Sequence, residues 1–567
     1  MTAPLSSAGG GLSGPWGRRT WFVVLILFTF LLTNRHQWAA DVRTSSDDGI
    51  YLAYAMSMGM DMDLDFSNEI RYGAYMAANE RSPGGFYGAG LMAAPFVGLF
   101  SLVDRALGNP VIGDRDQFRH SWSYFGFSFA THVYFLLSVL LSWRIGAAFR
   151  ERASRELVTL FCISSGVLFY VLIRPRMGHA FEFFTFTLAT YGTVRAWEYD
   201  VQRRSALLWA AVAGLGVALS VAIKLSNVFV ILLPVVLIFM IHSAEADGPS
   251  KTSGHRLARL FGLYAAGCIA FLLPVAILND LIYDAPFPSQ PQVYGVRTLV
   301  PAIDGLGDVL ALVEEWFRLA PNIPVIFFGA EFGLLYSNPL VVFGLFGAGA
   351  ALLGSAARNR RWMPVIAFAT VVVYFLLYLS IVLFWKSTAS SYGYRYLFPL
   401  FPVGFVGYLL WWLGPLKAPR RRRTGAAGAI HGVLLVLCVF SLLGQAFFAK
   451  SDKLSYHTGM TSLGRVAAAA PDFNRNLLEE TFSAKVWNRT LKDGVFGFVN
   501  KMAVNRTVIR WAVDQTVHGG EKGAREPNWQ HPPVVWLFLL TLAALWYGFF
   551  RYFRRVELEF DGGTGSG

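Results

Sequence analysis

The stretch MPVIAFATVVVYFLLYLSIVLF, Met363 to Phe384, contains no charged residue. A helix needs about 20 predominantly apolar residues to cross the hydrocarbon core of a bilayer. Other stretches of this chain are apolar over a similar length, and together they predict about twelve membrane spans. The predicted spans are 20–34, 123–143, 157–173, 181–197, 206–222, 225–242, 259–279, 338–354, 363–384, 397–413, 428–447 and 533–551.

The composition indicates the same class of protein. Hydrophobic residues make up 54% of the chain and charged residues 15%, whereas soluble globular proteins average about 25% charged residues. The sequence therefore predicts an all-α polytopic membrane protein in contact with membrane lipids. Its formal net charge of +13 does not indicate a nucleic-acid partner, because the Lys and Arg residues cluster at the ends of apolar stretches rather than along one amphipathic face.

The basic clusters predict the orientation of the chain. Cytoplasmic loops of membrane proteins carry an excess of Lys and Arg, and this rule holds at every loop if the apolar stretch 86–103 does not cross the membrane. We therefore expect 86–103 to be an interfacial or re-entrant helix and both termini to be cytoplasmic. The clusters on the predicted cytoplasmic side are 17–19, 143–155, 201–204, 357–361, 418–423 and 551–555.

This topology divides the chain into segments. We expect a cytoplasmic N-terminus at 1–19, with the apolar stretch after it retained as a first helix, and a transmembrane catalytic core at 20–415 that includes a first extracytoplasmic loop at 35–122. Further segments are a basic cytoplasmic loop with the eleventh helix at 416–447, an extracytoplasmic loop or small cap at 448–532, and the last helix with a cytoplasmic C-terminus at 533–560. The glycine-rich tail 561–567 is interpreted as a non-native remnant.

The first loop is acidic and contains SSDDGIYLAYA, Ser45 to Ala55. Asp47 and Asp48 closely follow the first predicted span and lead into an amphipathic segment, so they should lie at the membrane surface. A partly desolvated carboxylate there is well placed to act as a general base on an acceptor hydroxyl. The later MDMDLDF segment, Met60 to Phe66, is interpreted as a solvated loop or local turn. We assign no cofactor and no metal site. A divalent metal ion at MDMDLDF is left as an alternative, and it would require that the carboxylates of this segment converge.

Several segments together resemble the GT-C superfamily of integral-membrane glycosyltransferases. The resemblance covers roughly residues 15–415. Within the superfamily, the chain is similar in particular to bacterial members of the protein mannosyltransferase and aminoarabinose transferase group. It rests on the order of the acidic pair, NERSPGGFYGAGLMAAPF (Asn79 to Phe96), IRPRMGHAFEFF (Ile173 to Phe184), GLGVALSVAIKLSNVFVILLP (Gly214 to Pro234), FFGAEFGLLYSNPLVVFGLFG (Phe327 to Gly347) and FWKSTASSYGYRYLFPLFP (Phe384 to Pro402).

The resemblance implies a GT-C fold, with interfacial helices in the first loop, and an enzyme of the bacterial inner membrane. Such an enzyme moves a sugar from a polyprenyl phosphate or diphosphate donor to an extracytoplasmic acceptor such as a glycan, lipid or protein. A carboxylate of the first loop acts as the base, which makes Asp47 the first candidate and Asp48 the second. The sequence does not identify the sugar, the acceptor or the oligomeric state.

An anionic donor head requires cations on the extracytoplasmic side, where they are otherwise disfavoured. The candidates for binding the donor phosphate are Arg81, Arg174, Arg176, Lys224 and Arg395. Each could instead extend its charged group to the membrane surface or contact lipid headgroups. Arg395 lies between Tyr394 and Tyr396, and a planar guanidinium flanked by aromatic rings suits a phosphate at an apolar boundary.

Four more residues are candidates for contacting the sugar or the acceptor: His179, Glu182, Glu331 and Tyr394. His179 and Glu182 are one helical turn apart, so both could face one cavity, although a helix-capping role is equally compatible. Glu331 is costly at membrane depth unless it faces the interior of the bundle. The alternative class is a polytopic transporter or a flippase for lipid-linked sugars. Such proteins often contain internal repeats, which this sequence does not show.

Overall fold

In the computed structural model, the described residues are 47–69, 76–108, 122–149, 155–172, 175–199, 203–245, 252–295, 327, 334–359, 362–384, 395–413, 428–439 and 441–442. Apart from 104–108, they belong to one compact unit formed by 41–103 and 122–487. The regular elements of this part of the chain are helices, together with one isolated bridge between Met76 and Pro83. The predicted all-helical class is therefore confirmed for the described residues.

The helices are numbered in chain order. They are α1 (Asp47–Met56), α2 (Gly88–Leu107), α3 (Trp122–Ala148), α4 (Arg155–Ile163), α5 (Val167–Leu172), α6 (His179–Glu198), α7 (Arg203–Ile223), α8 (Leu232–Glu245), α9 (Thr252–Tyr283), α10 (Gln290–Tyr294), α11 (Leu334–Ser337), α12 (Pro339–Asn359), α13 (Met363–Phe384), α14 (Phe401–Leu413) and α15 (Gly428–Val439). One π turn, Ser57–Asp61, extends α1, and 3₁₀ turns at Leu225–Ile231 and Arg395–Leu400 precede α8 and α14.

Four helices of the described part are long and apolar enough to cross a membrane: Gly88–Leu107, Trp122–Ala148, Ser205–Ile223 and Gly254–Tyr283. Helix α13 begins and ends at the predicted residues. Because α2 is among the four, length and composition allow it to span, and its interfacial placement stays a prediction. The predicted spans 20–34 and 533–551, and the cap at 448–532, lie outside the described residues, so the number of twelve spans also stays a prediction.

The predicted span 157–173 is not one continuous helix, because the helix is broken between α4 and α5; whether this segment crosses the membrane stays a prediction. Gly166 adopts a φ of 79°, which favours glycine. The hydroxyl groups of Ser164 and Ser165 donate to the carbonyl oxygens of Phe161 and Cys162, at 3.2 and 2.6 Å. These bonds satisfy backbone acceptors that the broken helix leaves behind. The hydroxyl groups of the break thus pair with backbone groups next to it.

Successive helices place the acidic and basic segments at opposite ends of the bundle. A Cβ atom on Gly178, just before α6, would lie 3.5 Å from the Ile223 side chain at the end of α7. At the other end of α6, the Arg256 guanidinium donates to the Trp197 carbonyl oxygen at 2.8 Å. We call residues 47–51, 175–182 and 220–227 the acidic end, and residues 195–199, 203–204 and 252–259 the basic end. The side of the membrane on which each end lies stays a prediction.

Close glycine contacts bring α1 and α2 to the acidic end. A Cβ atom on Gly88 would lie 2.4 Å from the backbone nitrogen of Ile223, and one on Gly90 would lie 2.7 Å from the carbonyl oxygen of Tyr51. A larger residue at either position would force the helices apart, since close-packed interiors have no space to absorb it. The two glycines therefore fix α1 against the end of α7 through α2.

Hydrogen bonds hold the loop before α2 in place. The Tyr54 hydroxyl donates to the Pro83 carbonyl oxygen at 2.6 Å, and the Tyr283 hydroxyl donates to that of Gly85 at 2.7 Å. The Ser82 hydroxyl donates to the Ile282 carbonyl oxygen at 2.6 Å. The first loop is thus connected to α1 and to the end of α9, which gives the start of α1 a fixed support.

Candidate functional site

The acidic pair lies next to the turn that begins α6. Asp47 and Asp48 occupy the first turn of α1, where both are partly buried and where the helix dipole stabilises negative charge. One turn further, the Tyr51 hydroxyl oxygen is 3.6 Å from the position of a Cβ atom on Gly178. Since His179 follows directly, the structure brings the predicted catalytic aspartates into the neighbourhood of a predicted substrate-binding histidine.

Arg176 is the buried cation of this end. It is 6% exposed, and its guanidinium carbon lies 4.3 Å from the centre of the Tyr124 ring on α3. Its Nε and Nη1 atoms are buried and have no hydrogen-bond partner among the described residues. A guanidinium is always charged and can only donate, and leaving its N–H groups unpaired in the interior costs free energy. An anion that accepts from either of these atoms would recover part of this free energy.

His179, Glu182 and Asn227 form a buried hydrogen-bonded chain. His179 Nδ1 is 2.7 Å from Glu182 Oε2, and Glu182 Oε1 accepts from Asn227 Nδ2 at 3.1 Å. The same Asn227 amide nitrogen donates to the Ser220 carbonyl oxygen at 3.0 Å. All three residues are buried. Buried hydrogen-bonded networks of this kind restrict the positions of their members.

Lys224 directly follows α7 and lies beside the hydrogen-bonded chain of His179, Glu182 and Asn227. Its backbone is extended, with φ −164° and ψ 125°, and separates α7 from the following 3₁₀ turn. Its backbone nitrogen donates to the Ser220 carbonyl oxygen at 3.2 Å, and its carbonyl oxygen accepts from the backbone nitrogen of Asn227 at 2.9 Å. The predicted donor-binding lysine is therefore located at the same site as His179 and Glu182.

The turn that contains Arg395 also reaches the site. Its 3₁₀ turn, Arg395–Leu400, carries Phe398, whose ring centre is 5.9 Å from that of His179. The Tyr170 ring at the end of α5 lies 4.6 Å from the histidine ring and 6.0 Å from that of Phe398. Arg395 is thus one 3₁₀ turn from a direct neighbour of His179. The side chain of Arg395 lies outside the described residues, as do Arg174, Glu331 and Tyr394 entirely.

Arg81 is not brought into this buried group. Its side chain is 79% exposed and its guanidinium is 3.6 Å from the carboxylate of Asp284. This ion pair joins the first loop to the residues that follow α9. An exposed pair of this kind contributes little to stability. Its role as a donor ligand stays a prediction that the described contacts do not favour.

The acidic loop after α1 is a hydrogen-bonded turn. Asp63 Oδ1 accepts from the Ser57 hydroxyl at 3.1 Å and from the Asp65 backbone nitrogen at 3.2 Å. Asp65 Oδ1 accepts from the backbone nitrogen of Ser67 at 3.0 Å, which lowers the pKa of Asp65. The interpretation of MDMDLDF as a local turn is confirmed. Within the described ranges, no three His, Cys, Asp or Glu side chains converge as metal ligands.

Glu69 closes this loop and was not singled out by the sequence. It is fully buried, and burial, followed by the neighbouring carboxylate of Asp61, raises its pKa to about 8.

Two further residues of the site, Asn227 and Tyr124, were not indicated by the sequence. Asn227 could have been noticed only as a polar residue in the apolar KLSNVFVILL run, and Tyr124 only as an aromatic residue at the start of a span.

Comparisons with known proteins found no matching family model and no matching curated protein. Two solved structures were found. One is the archaeal oligosaccharyltransferase AglB from Archaeoglobus fulgidus in complex with an inhibitory peptide and a dolichol-phosphate, with a TM-score of 0.39, 12% identity, and coverage of 77% of this chain and 56% of that one. The other is an Archaeoglobus fulgidus oligosaccharyltransferase in the apo form, with a TM-score of 0.39, 13% identity, and coverage of 76% and 57%.

This chain therefore spans less than two thirds of either neighbour. At this level of structural similarity, the function of the chain has to be inferred from its own residues.

Proposed function

We propose that this protein is a membrane glycosyltransferase that uses a lipid-linked sugar phosphate as its donor. The observation that carries the proposal is the buried guanidinium of Arg176, with two N–H-bearing nitrogens unpaired among the described residues, at the same end of the bundle as the acidic pair of α1. A phosphate can accept from an N–H group of either nitrogen, and an arginine over an aromatic ring is well suited to that role. Lys224 and the turn of Arg395 supply further positive charge at this end.

The proposed reaction uses Asp47 as the base, with Asp48 as the second candidate. Asp47 takes the proton of the acceptor hydroxyl while the hydroxyl oxygen forms a bond to the anomeric carbon of the sugar. The bond between that carbon and the phosphate oxygen breaks, and its electron pair stays on the phosphate. Arg176, Lys224 and Arg395 stabilise this negative charge as the polyprenyl phosphate or diphosphate leaves. His179 and Glu182 contact the sugar or the acceptor.

The resemblance to bacterial protein mannosyltransferases and aminoarabinose transferases supports a polyprenyl-linked donor. A donor with an anionic head and a long apolar tail must be bound at the membrane surface, and the acidic end provides cations beside apolar helices. We propose that this end faces the extracytoplasmic side of a bacterial inner membrane, because the basic end carries the residues that favour the cytoplasm.

The test is the release of polyprenyl phosphate from a radiolabelled donor. Purified full-length protein in lipid nanodiscs is incubated with a panel of polyprenyl-phospho-sugars and with cell-envelope extract as a source of acceptor. We expect at least one donor to be converted to polyprenyl phosphate with transfer of the label. A transporter or flippase would move the intact lipid-linked sugar across the bilayer without releasing polyprenyl phosphate, and this outcome would replace the proposal.

A matched pair of variants tests the role of Arg395. Arg395→Lys keeps the charge but loses the planar fork, and Arg395→Ala loses both. A charge-assisted hydrogen bond contributes about 1.5 to 3 kcal/mol, so the Ala variant should weaken apparent donor affinity by roughly one to two decades and the Lys variant by less. Unchanged donor affinity in Arg395→Ala would remove Arg395 from the donor site.

A further inference from the structure

The chain of His179, Glu182 and Asn227 determines where the histidine carries its proton. An ionised carboxylate can only accept hydrogen bonds. The contact of 2.7 Å between Glu182 Oε2 and His179 Nδ1 therefore places a proton on Nδ1. In a neutral ring with its proton on Nδ1, Nε2 is the acceptor.

Asn227 holds the carboxylate in this orientation. Its Nδ2 atom bears two hydrogens, and both have acceptors, Glu182 Oε1 at 3.1 Å and the Ser220 carbonyl oxygen at 3.0 Å. The second bond ties the amide to the last turn of α7, so the side chain cannot turn over without losing both bonds. Glu182 must therefore present one oxygen to Asn227 and the other to His179.

The histidine itself is confined by aromatic rings. Tyr170 and Phe398 lie 4.6 and 5.9 Å from its ring centre, both nearly edge-on. Together with the bond at Nδ1, they leave the ring little freedom to rotate. Phe398 belongs to the turn that Arg395 begins, so the orientation of His179 is coupled to the position of a proposed phosphate ligand.

We infer that Asn227 is a positioning residue: through Glu182 it fixes the Nδ1–H tautomer of His179, so that Nε2 accepts a hydrogen bond from a hydroxyl group of the donor sugar. This inference rests on the proposed function for the identity of the ligand. The part that concerns the tautomer can be measured without any substrate.

The tautomer is read from the ¹⁵N NMR signals of histidine rings in full-length protein labelled with ¹⁵N-histidine. A His179→Gln variant identifies the signals of His179 by their loss. In the unsubstituted protein we expect a protonated Nδ1 and an unprotonated Nε2. Asn227→Ala should give a mixture of tautomers, because the carboxylate is free to turn, whereas the control Asn68→Ala removes an exposed asparagine of the first loop and should change nothing.

A pair of substitutions tests the hydrogen-bond order in both directions. In Glu182→Gln, the donors of Asn227 should draw the amide oxygen of Gln towards themselves, so that the amide nitrogen faces His179 and the proton moves to Nε2. In the double variant Glu182→Gln with Asn227→Asp, the carboxylate accepts from the new amide and the amide oxygen again faces Nδ1. The Nδ1–H tautomer should then return, while the Ser220 carbonyl oxygen keeps its bond from the backbone nitrogen of Lys224.

The functional test compares the effect of Asn227→Ala on the donor KM with its effect on kcat. With the donor that the unsubstituted protein converts, Asn227→Ala should raise the donor KM about tenfold, which corresponds to a hydrogen bond of about 1.4 kcal/mol, and change kcat much less. An unchanged tautomer in Asn227→Ala, or in Glu182→Gln if the first variant does not fold, would overturn the inference. Absence of turnover in the unsubstituted protein with every donor would instead overturn the proposed function, and the tautomer measurements would still stand.

Discussion

The two ends of α6 contain similar residues in different arrangements. At its end, Arg195 donates to the Glu198 carboxylate at 2.6 Å and to the Tyr199 hydroxyl at 2.7 Å. Before its start, Arg176 stacks on Tyr124 as closely as Arg195 stacks on Tyr199, at 4.3 and 4.5 Å from the ring centres. Two nitrogens of Arg176 nevertheless have no partner in the described part of the chain. The basic end thus provides a carboxylate partner for its arginine from within the chain, whereas the described part of the chain provides none for Arg176.

The largest expected effect is an all-or-none difference in labelling between the two ends. Leu64→Cys in the first loop and His255→Cys at the basic end both replace exposed residues, and the native Cys162, Cys268 and Cys438 are buried. In intact cells, a membrane-impermeant maleimide should label the cysteine at 64 and leave the one at 255 unlabelled until the cells are permeabilised. Labelling of both positions from outside would show that the two ends do not lie on opposite sides of the membrane.

The next effect concerns the base. Asp47→Asn is nearly isosteric and removes the proton acceptor, and general-base catalysis is typically worth about 10² to 10⁴ in rate. Release of polyprenyl phosphate should therefore slow by roughly that factor, while donor binding changes little. The control at the basic end, Glu198→Gln, removes the carboxylate that pairs with Arg195 and should leave turnover nearly unchanged.

Asp48→Asn decides between the two aspartates. Adjacent residues of a helix point in different directions, so only one of them should reach the acceptor hydroxyl, and we expect the Asp48 variant to lose less activity. Loss of transfer in Asp48→Asn with normal turnover in Asp47→Asn would pass the role to Asp48. If both variants kept normal activity, the base would not lie in α1.

The helices were predictable where an apolar run is long and uninterrupted. Met363–Phe384 needed only its length and lack of charge, and α13 matches it. The run 157–173 has a similar hydropathy, but it contains Ser164, Ser165 and Gly166. These small residues satisfy and bend the backbone locally, and an average over the run does not detect them.

The site was predictable in its local pairs and not in its long-range contacts. His179 and Glu182 are one turn apart, and their contact follows from helix geometry. Asn227 lies 45 positions after Glu182, beyond a helix and a break, so only the packing of α7 against α6 brings it close. The burial of Arg176 has the same origin, because it depends on Tyr124 of another helix.

Arg176 provides the next test of the comparison. Arg176→Met keeps much of the side-chain volume and removes the charge and its N–H groups. Since a hydrogen bond to a charged group contributes about 1.5 to 3 kcal/mol, binding of undecaprenyl phosphate in nanodiscs should weaken by roughly one to two decades, and Arg176→Lys should weaken it less. The matched variant Arg195→Met should leave this binding unchanged, because Arg195 already has partners within the chain. Equal losses in both variants would show that Arg176 serves the packing of the bundle rather than the donor.

The smallest expected effect comes from a second pair of like residues, Glu198 and Glu69. Glu198 faces Arg195, whereas Glu69 is fully buried near Asp61 and Asp63, and these conditions raise its pKa to about 8. Between the ordinary pKa of 4.5 and this value, the folded protein keeps a proton that the unfolded chain has lost. Stability should therefore fall as the pH rises through this range, by at most about 1.4 kcal/mol per pH unit for one group. Glu69→Gln removes the titration. The melting temperature of this variant should therefore approach that of the unsubstituted protein near pH 5 and exceed it by a few degrees near pH 8.

Asp65 provides the control for this prediction. It is exposed and has a lowered pKa instead, so Asp65→Asn should not alter the slope of stability against pH above pH 5. If the profiles of Glu69→Gln and the unsubstituted protein ran parallel from pH 5 to pH 8, Glu69 would be ionised in the folded loop, and the contrast with Glu198 would be one of position alone.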